Sequence, residues 1–278
     1  MMNLLLTGST SGIGWETLKA LLPHFDQLFL PVRNLEKAQK MIQSLPERQK
    51  IQLIPMDLSS MHSVKKGAQL ILKSTDQIDL LINNAGGMYP GGKLTEEKLD
   101  LTFTTNHLGH FLLTLELLPA LKKGQAKIIN VSSEAHRIAT SLNEDWGLRK
   151  AGNTINAYGK VKLYNILFSK ELKSKFETDG IQAYALHPGA VKTAFGSETS
   201  FIAKAIIRAT QLFFISPKAG AQTSIFLALT PKGKLKNGGY YDKKKPKNPS
   251  SIASDPKAAT DLWNYSLDVL RELNLISI

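Results

Sequence analysis

Short apolar runs alternate along the chain with longer segments whose apolar residues recur at helical spacing. The runs are continuously apolar, which is typical of parallel strands covered on both faces. Buried strands are predicted at Leu4–Leu6, Leu28–Val32, Ile51–Ile54, Leu80–Ile82, Ile128–Val131 and Ile181–Leu186. Helices are predicted at Ile13–Leu22, Glu36–Ser44, Ser63–Leu72, Thr105–Leu121, Ala157–Phe176 and Lys257–Glu272. This order predicts an α/β fold with a doubly wound, mostly parallel sheet, the Rossmann fold.

One predicted strand contains a residue that does not suit it. Pro31 has no backbone N–H to donate to a neighbouring strand, so we expect the strand to end or bulge there. No internal repeat or linker divides the chain, and residues 1–278 are therefore predicted to form one domain.

A glycine-rich turn joins the first predicted strand to the first predicted helix. Gly8, Gly12 and Gly14 allow a tight turn and a close approach of a ligand to the backbone. The start of the helix supplies free N–H groups and a partial positive charge, which together bind phosphate. This context favours a dinucleotide site over a simple tight turn.

Arg33 lies nineteen residues after Gly14, at the end of the second predicted strand. An acidic residue at this place would hold the ribose hydroxyl of NAD, whereas a guanidinium group binds a 2′-phosphate. The sequence therefore favours NADP(H) over NAD(H), with a solvated loop arginine as the alternative.

Candidate catalytic groups occur at two places. Tyr158 and Lys162 are four residues apart and share one helix face. A nearby ammonium and a positively charged nicotinamide are expected to lower the pKa of Tyr158, so that its hydroxyl can exchange a proton with substrate. Ser132 and Ser133 end a predicted strand, where a hydroxyl can stabilise a carbonyl oxygen. The tyrosine–lysine pair alone would equally suit a surface helix.

Four motifs in this order resemble the classical short-chain dehydrogenase/reductase family. They are TGxxxGxG at 7–14, NNAG at 83–86, YxxxK at 158–162 and PGxVxT at 188–193. The resemblance covers nearly the whole chain. Further stretches resemble its retinol-dehydrogenase-like branch, namely Val32–Ala38, Asn106–Phe111, Ser132–His136, Ala157–Phe168, Gly220–Thr223 and Tyr240–Pro249. The resemblance to this branch implies NADP(H)-dependent reduction or oxidation of lipophilic aldehydes, ketones and alcohols.

The resemblance also implies roles for individual residues. Ser133 would polarise the substrate carbonyl, and Ser132 is the alternative residue for this role. Asn106 would hold a water in a proton relay to Lys162. Asp57 would bind adenine, although its position equally suits a cap of the next helix. The implied cofactor-binding residues are Gly8, Ser9, Ser11, Gly12, Ile13, Gly14, Arg33, Asp57, Leu58, Asn83, Ala85, Gly86, Tyr158, Lys162, Pro188, Val191 and Thr193.

Composition excludes several other classes of protein. The chain has no cysteine, which rules out a disulfide scaffold, a zinc finger and a cysteine nucleophile. The histidines belong to no metal-binding or hydrolase motif, so no metal site is predicted and His107 and His110 are interpreted as packing residues. The amino terminus lacks the pattern of a secretory signal, which favours a cytoplasmic protein.

The positive charge is local. The net charge is +12, and residues 201–247 hold ten lysines or arginines against one acid, Asp242. The resemblance implies a substrate lid at residues 195–217. Within it, Phe201–Ile215 has the spacing of a basic amphipathic helix. With the Lys232–Lys247 loop, it predicts a cationic rim suited to acidic ligands or peripheral contact with an anionic membrane, or only to solubility.

The expected partner is a small lipophilic carbonyl compound or alcohol. No nucleic-acid-binding motif accompanies the charge, and no nucleic-acid partner is predicted. A homodimer and a homotetramer are both left open. The alternative function is a non-catalytic NADP-binding regulator or scaffold, which would not require the set of Ser133, Tyr158, Lys162 and Asn106.

Overall fold

One eight-stranded sheet is the frame of the computed structural model, which describes residues 1–142, 145–148, 153–190 and 215–276. The strands are β1 Asn3–Leu6, β2 Gln27–Val32, β3 Ile51–Pro55, β4 Leu80–Asn83, β5 Lys127–Val131, β6 Gln182–His187, β7 Tyr240–Asp242 and β8 Lys245–Lys247. Their order is β3-β2-β1-β4-β5-β6-β7-β8. Neighbouring strands are parallel except for β8, which is antiparallel to β7. The prediction of a doubly wound, mostly parallel sheet is confirmed.

Helices cover both faces of the sheet. The described helices are α1 Gly12–Leu21, α2 Leu35–Ile42, α3 Met61–Ser74, α4 Leu101–Phe103, α5 Gly109–Glu116, α6 Leu118–Lys123, α7 Thr154–Phe176, α8 Pro217–Gly220, α9 Gln222–Leu229 and α10 Pro256–Glu272. Consecutive residues of β1 serve opposite cores: Leu5 packs in one hydrophobic cluster, and Leu4 and Leu6 pack in the other. This two-sided burial is why the strands are continuously apolar.

The predicted helix Thr105–Leu121 is not continuous. It consists of α4, a wider π-helical turn at Thr104–Leu108, then α5 and α6. Pro119 lies in the first turn of α6, where its missing N–H and fixed φ favour a new helix start. The prediction of one helix is therefore wrong.

The expected break at Pro31 occurs on one side of β2 only. Pairing of β2 with β1 stops at Phe29, before the proline. On the other side Pro31 lies opposite Ile54, and β2 continues to Val32, whose carbonyl oxygen accepts from the N–H of Met56 at 3.0 Å. Consecutive residues of a strand point their backbone groups to opposite neighbours, so the missing N–H of Pro31 faces β1 and leaves the pairing with β3 intact.

The end of the lysine-rich loop is a β-hairpin, which the sequence did not predict. β7 and β8 are joined by Lys243 and Lys244, whose φ angles are 49° and 65°. A two-residue turn with both residues in the left-handed region usually contains asparagine and glycine. Because two lysines occupy it here, the usual hairpin signal is missing from the sequence.

Most of the predicted lid, residues 195–214, lies outside the described residues, and the lid stays a prediction. The described residues on either side meet, since the N–H of Ile215 donates to the carbonyl oxygen of Ala190 at 2.8 Å. α8 then begins at Pro217. Among the described helices, none combines the length and the apolar character needed to cross a bilayer.

A lysine of β5 holds the end of α9. The ammonium of Lys127 donates to the carbonyl oxygens of Leu227 and Thr230, both at 3.0 Å, and to that of Ala228. The last carbonyls of a helix have no partner within the helix, and a cation there is also favoured by the helix dipole. Lys127 therefore fixes α9 to the sheet.

Replacing Lys127 with methionine should preserve the packing of the alkyl part of the side chain and remove these hydrogen bonds. We expect Lys127→Met to lower the free energy of unfolding by about 1–3 kcal/mol, the cost of leaving buried carbonyls unpaired. Urea unfolding measures this. The control is Lys123→Met, which removes an exposed ion pair with Asp76 and should change stability by less than about 0.5 kcal/mol. Equal changes in the free energy of unfolding for the two substitutions would contradict the role assigned to Lys127 at the end of α9.

Candidate active site

A cleft of about 390 Å³ opens at the carboxyl edge of the sheet, where the strand order reverses between β1 and β4. Most of the predicted cofactor residues line it. They are Gly8, Ser11, Gly12, Ile13, Gly14, Arg33, Asp57, Leu58, Ala85, Gly86, Tyr158, Lys162 and Pro188. Val191 and Thr193 lie outside the described residues. The predicted residues follow strands that are far apart along the chain, and the fold brings them together in this one cleft.

The glycine turn has no room for side chains. Gly8 and Gly12 have φ angles of 68° and 54°, in the left-handed region that favours glycine. A Cβ atom on Gly14 would lie 2.0 Å from the carbonyl oxygen of Gly8. A Cβ atom on Gly8 would lie 2.8 Å from the Cα of Ala85. The turn is thus packed against itself and against the loop after β4.

Unpaired polar groups surround this turn. Ser11 precedes α1 without capping it, so the first N–H groups of the helix are left for a ligand. The hydroxyl of Ser9 is buried and has no hydrogen-bond partner among the described residues, and the same holds for Thr105, which lines the cleft. Buried hydroxyls normally have partners. These residues fit the phosphates and hydroxyls of a dinucleotide.

Thr7 fastens the turn to the loop after β4. Its Oγ1 accepts hydrogen bonds from the N–H groups of Asn84 at 2.9 Å and Ala85 at 3.0 Å. Two acceptor positions are then filled, so the hydroxyl hydrogen is donated to the nearest acceptor, Nε2 of His110 at 3.0 Å. Burial lowers the pKa of His110 to about 3, which keeps the ring neutral. Thr7, Asn84 and His110 were not among the predicted site residues.

The two asparagines of the NNAG motif have different positions. Asn83 is buried in the sheet, where its Nδ2 donates to Oδ1 of Asn130 at 2.8 Å. It does not line the cleft. Asn84 lines the cleft, and its Nδ2 donates to the carbonyl oxygens of Thr7 at 2.9 Å and Gly8 at 3.2 Å. The second asparagine therefore shapes the glycine turn directly.

Arg33 and Asp57 lie at the other end of the cleft, at the ends of β2 and β3. Arg33 is exposed and has no hydrogen-bond or ion-pair partner within the described part of the chain. Oδ1 of Asp57 accepts from the N–H and hydroxyl of Ser59 at 2.8 and 2.7 Å. The cap of α3 is Ser60, so Asp57 is not the helix cap that the sequence left as an alternative.

Tyr158 and Lys162 lie side by side on α7, and both line the cleft. The ammonium of Lys162 is 5.3 Å from the centroid of the Tyr158 ring and donates to the carbonyl oxygen of Val131 at 3.1 Å. Burial lowers the pKa of Lys162 to about 8. Burial also raises the pKa of Tyr158, an effect that its hydrogen bond with Ser133 reduces. Among the groups of the chain itself, burial thus exceeds the contacts that lower the tyrosine pKa, and the lowering expected from a positively charged nicotinamide stays a prediction.

The two serines at the end of β5 have separate partners. Ser132 is buried, and its hydroxyl donates to the carbonyl oxygen of Lys162 at 2.6 Å. Ser133 faces Tyr158, and its Oγ accepts from the N–H of Ala135 at 3.2 Å. Ser133 is therefore the serine whose hydroxyl meets the tyrosine, while Ser132 fixes α7 to β5.

Asn106 lies in the π-helical turn before α5. Its Nδ2 donates to the carbonyl oxygens of Gly87 at 3.0 Å and Thr102 at 2.9 Å, and its Oδ1 accepts from the N–H of Gly87 at 3.1 Å. The amide thus holds the loop after β4 in place. The role of Asn106 in a proton relay stays a prediction.

A glycine turn at the switch point of a doubly wound sheet, beside a serine–tyrosine–lysine set, defines a nucleotide-dependent α/β oxidoreductase. A family model described as short chain dehydrogenase matches residues 3–201. The chain belongs to the short-chain dehydrogenase family and is an oxidoreductase of its retinol-dehydrogenase-like branch.

Two curated relatives cover most of the chain. Human retinol dehydrogenase 13 is 35% identical over 274 residues, which is 94% of this chain and 82% of that protein. Mouse retinol dehydrogenase 12 is 34% identical over 269 residues, 95% of this chain and 85% of that protein. The solved structure of an uncharacterised protein from Mycobacterium Paratuberculosis has a TM-score of 0.78 at 26% identity, and the match covers 98% of this chain and 94% of that one.

Substituting Gly14 tests the crowded turn. The Cβ atom of Gly14→Ala would push against the carbonyl oxygen of Gly8, so the turn must open and lose its fit to phosphate. We expect the dissociation constant for NADPH to rise about tenfold or more, which corresponds to about 1.4 kcal/mol. Fluorescence titration measures it. Gly233→Ala, where a Cβ meets no atom within 4 Å, is the control, and a similar affinity of both variants would contradict the prediction.

Proposed function

We propose that the chain transfers a hydride between NADP(H) and a lipophilic aldehyde, ketone, or primary or secondary alcohol of retinoid, steroid or similar lipid type. The observation that carries the proposal is the hydrogen bond between the side chains of Ser133 and Tyr158 beside the ammonium of Lys162, with Tyr158 and Lys162 in the wall of the nucleotide cleft. A binding module would not require this buried acid–base set.

In the direction of reduction, the hydride for the carbonyl carbon would come from the nicotinamide cofactor held in the cleft. The hydroxyl of Ser133 donates a hydrogen bond to the carbonyl oxygen and stabilises the negative charge that grows there. The hydroxyl of Tyr158 then gives its proton to that oxygen, which completes the alcohol. Because burial raises the pKa of Tyr158, the tyrosine holds its proton at neutral pH and can act as this acid.

Lys162 has two roles in the proposal. Its pKa of about 8 leaves the ammonium mostly charged at neutral pH, so it stabilises the tyrosinate that remains after proton transfer. The same ammonium lines the cleft, where it would hold the ribose hydroxyls of the cofactor. Ser9, Ser11 and the start of α1 would hold the phosphates.

Two observations support a lipophilic substrate. Two curated relatives that match 94% and 95% of this chain are named retinol dehydrogenases. Met88 and Tyr89, which follow the NNAG motif, give the cleft apolar wall atoms. A small apolar carbonyl compound would therefore lose water contacts on entering, which favours binding.

Removing the hydroxyl of Tyr158 tests the mechanism. We expect Tyr158→Phe to lower kcat for NADPH-dependent reduction by about 10²–10⁴-fold, the usual contribution of a general acid. The assay follows NADPH consumption with a panel of lipophilic aldehydes and ketones, retinal included. NADPH affinity should change little. Tyr184→Phe, in the buried sheet core, is the control for loss of a tyrosine hydroxyl.

Turnover by Tyr158→Phe at the wild-type rate would overturn this mechanism. A wild-type chain that bound NADPH tightly and reduced no member of the panel would instead favour the non-catalytic regulator or scaffold.

Arg33 carries the proposed preference for NADP(H). Its exposed guanidinium lines the cleft and has no partner in the described residues, so it can bind a 2′-phosphate through two hydrogen bonds. We expect Arg33→Ala to weaken NADPH binding by about tenfold and NADH binding by less than twofold, since a charge-assisted hydrogen bond contributes about 1.5–3 kcal/mol. Lys37→Ala, an equal loss of charge on exposed α2, is the control. An equal loss of affinity for NADPH and NADH would show that Arg33 does not bind the 2′-phosphate.

A further inference from the structure

The segment that carries Ser133 is held from outside the cleft by a distant part of the chain. Residues 133–138, called here the serine loop, follow β5 and form a 3₁₀ turn at Glu134–Ile138. The hairpin β7–β8 and residues 248–250, called here the strap, lie against this loop. More than a hundred residues of sequence separate the two segments, so the sequence gives no local sign of their contact.

Glu134 is the main connection between them. Its Oε1 accepts a hydrogen bond from the hydroxyl of Tyr240 in β7 at 2.8 Å. Its Oε2 lies 3.2 Å from the ammonium of Lys247 in β8 and accepts from Nε of Arg137 at 3.1 Å. Burial alone would raise the pKa of Glu134, but these hydrogen bonds lower it to about 2, so the carboxylate stays charged. Both of its oxygens are thus occupied by structural partners.

Two further contacts join the serine loop to the strap. Nη2 of Arg137 donates to the carbonyl oxygen of Asn248 at 2.7 Å. Nε2 of His136 accepts from the N–H of Ser250 at 3.1 Å, which leaves the ring proton on Nδ1. That proton is donated to the carbonyl oxygen of Ser133 at 2.7 Å. The strap therefore sets the tautomer of a histidine that holds the peptide of the serine itself.

Ser133 has little freedom inside this arrangement. Its carbonyl oxygen is held by His136, and the next N–H, that of Glu134, donates to Nδ1 of His187 at 3.3 Å. Its own Oγ accepts from the N–H of Ala135. The direction in which its hydroxyl meets Tyr158 thus follows from the conformation of the serine loop.

We infer that Glu134 is a positioning residue for the reaction, which ties the serine loop to the β7–β8 hairpin and thereby sets the contact between the hydroxyls of Ser133 and Tyr158. The inference rests on the proposed function. Glu134 does not line the cleft and acts through Ser133. Its side chain bonds to Arg137, Tyr240 and Lys247, which are not predicted cofactor residues, so we expect nucleotide binding to be largely independent of it.

The test separates positioning from stability. Glu134→Ala removes the contacts of Glu134 with Tyr240 and Lys247, and Tyr240→Phe removes only the hydrogen bond to Oε1. We expect kcat for NADPH-dependent reduction to fall on the order of tenfold in Glu134→Ala and less in Tyr240→Phe, because small displacements of a reacting group strongly reduce rates. The dissociation constant for NADPH should stay within about twofold of the wild-type value. Hydrogen exchange should increase in the serine loop.

Two comparisons complete the design. The double variant Glu134→Ala/Tyr240→Phe should be no slower than Glu134→Ala, since both changes break one connection. Glu134→Gln keeps an oxygen for Tyr240 and should recover part of the rate. Glu36→Ala, which breaks the exposed ion pair with Lys40, is the control and should leave the rate unchanged.

Either of two results would overturn the inference. One is an unchanged kcat in Glu134→Ala, and the other is a parallel loss of kcat and NADPH affinity, which would indicate general destabilisation. If Glu134→Ala did not fold, Tyr240→Phe would decide by the same two criteria. If the wild-type chain reduced no substrate, the proposed function would fail, and unchanged hydrogen exchange in the serine loop of the variants would overturn the inference by itself.

Discussion

The site depends on a single hydroxyl group that joins three segments of the chain. Thr7 Oγ1 accepts from the two N–H groups that follow β4 and lies 3.0 Å from the neutral ring of His110 in α5. Nδ1 of that ring lies 3.4 Å from the carbonyl oxygen of Asn106, whose side chain holds Gly87. Every hydrogen-bonding position of the hydroxyl is used, so the glycine turn, the NNAG loop and the π-helical turn keep one arrangement. The cleft is the space that they leave.

Features that a short stretch of sequence determines could be predicted. Apolar runs gave the six parallel strands because each strand is covered on both faces, and the glycines gave the turn because its backbone angles and contacts exclude a Cβ atom. Features that depend on distant neighbours could not. Which pairing Pro31 interrupts depends on the neighbouring strand that its nitrogen faces, and the hairpin at Lys243 and Lys244 contains no residue that normally marks such a turn.

The same division applies to the site. Helix spacing places Tyr158 and Lys162 on one face, the strand end indicates Ser132 or Ser133, and the family resemblance implies Ser133. The fold brings Ser133, Tyr158 and Lys162 together. The pKa of Tyr158 could not be anticipated, because its direction is set by how much of the site is buried, which no local pattern reports. The partners of His136 were equally hidden, since Ser250 lies 114 residues away along the chain.

The excess of positive charge illustrates how composition can mislead. Lys232 donates to the carbonyl oxygens of Gly180 at 3.0 Å and of Gln125, while Lys247 is held by Glu134 and Asp242. In these places the ammonium stabilises the fold, as Lys127 does at the end of α9. The charge of Lys247 is offset by two carboxylates, and the ammonium of Lys232 is fixed against carbonyl oxygens and only partly exposed. Within the described part of the basic region, attraction to an anionic surface would therefore have to come from exposed residues such as Lys243 and Lys245, and not from the net charge of the whole segment.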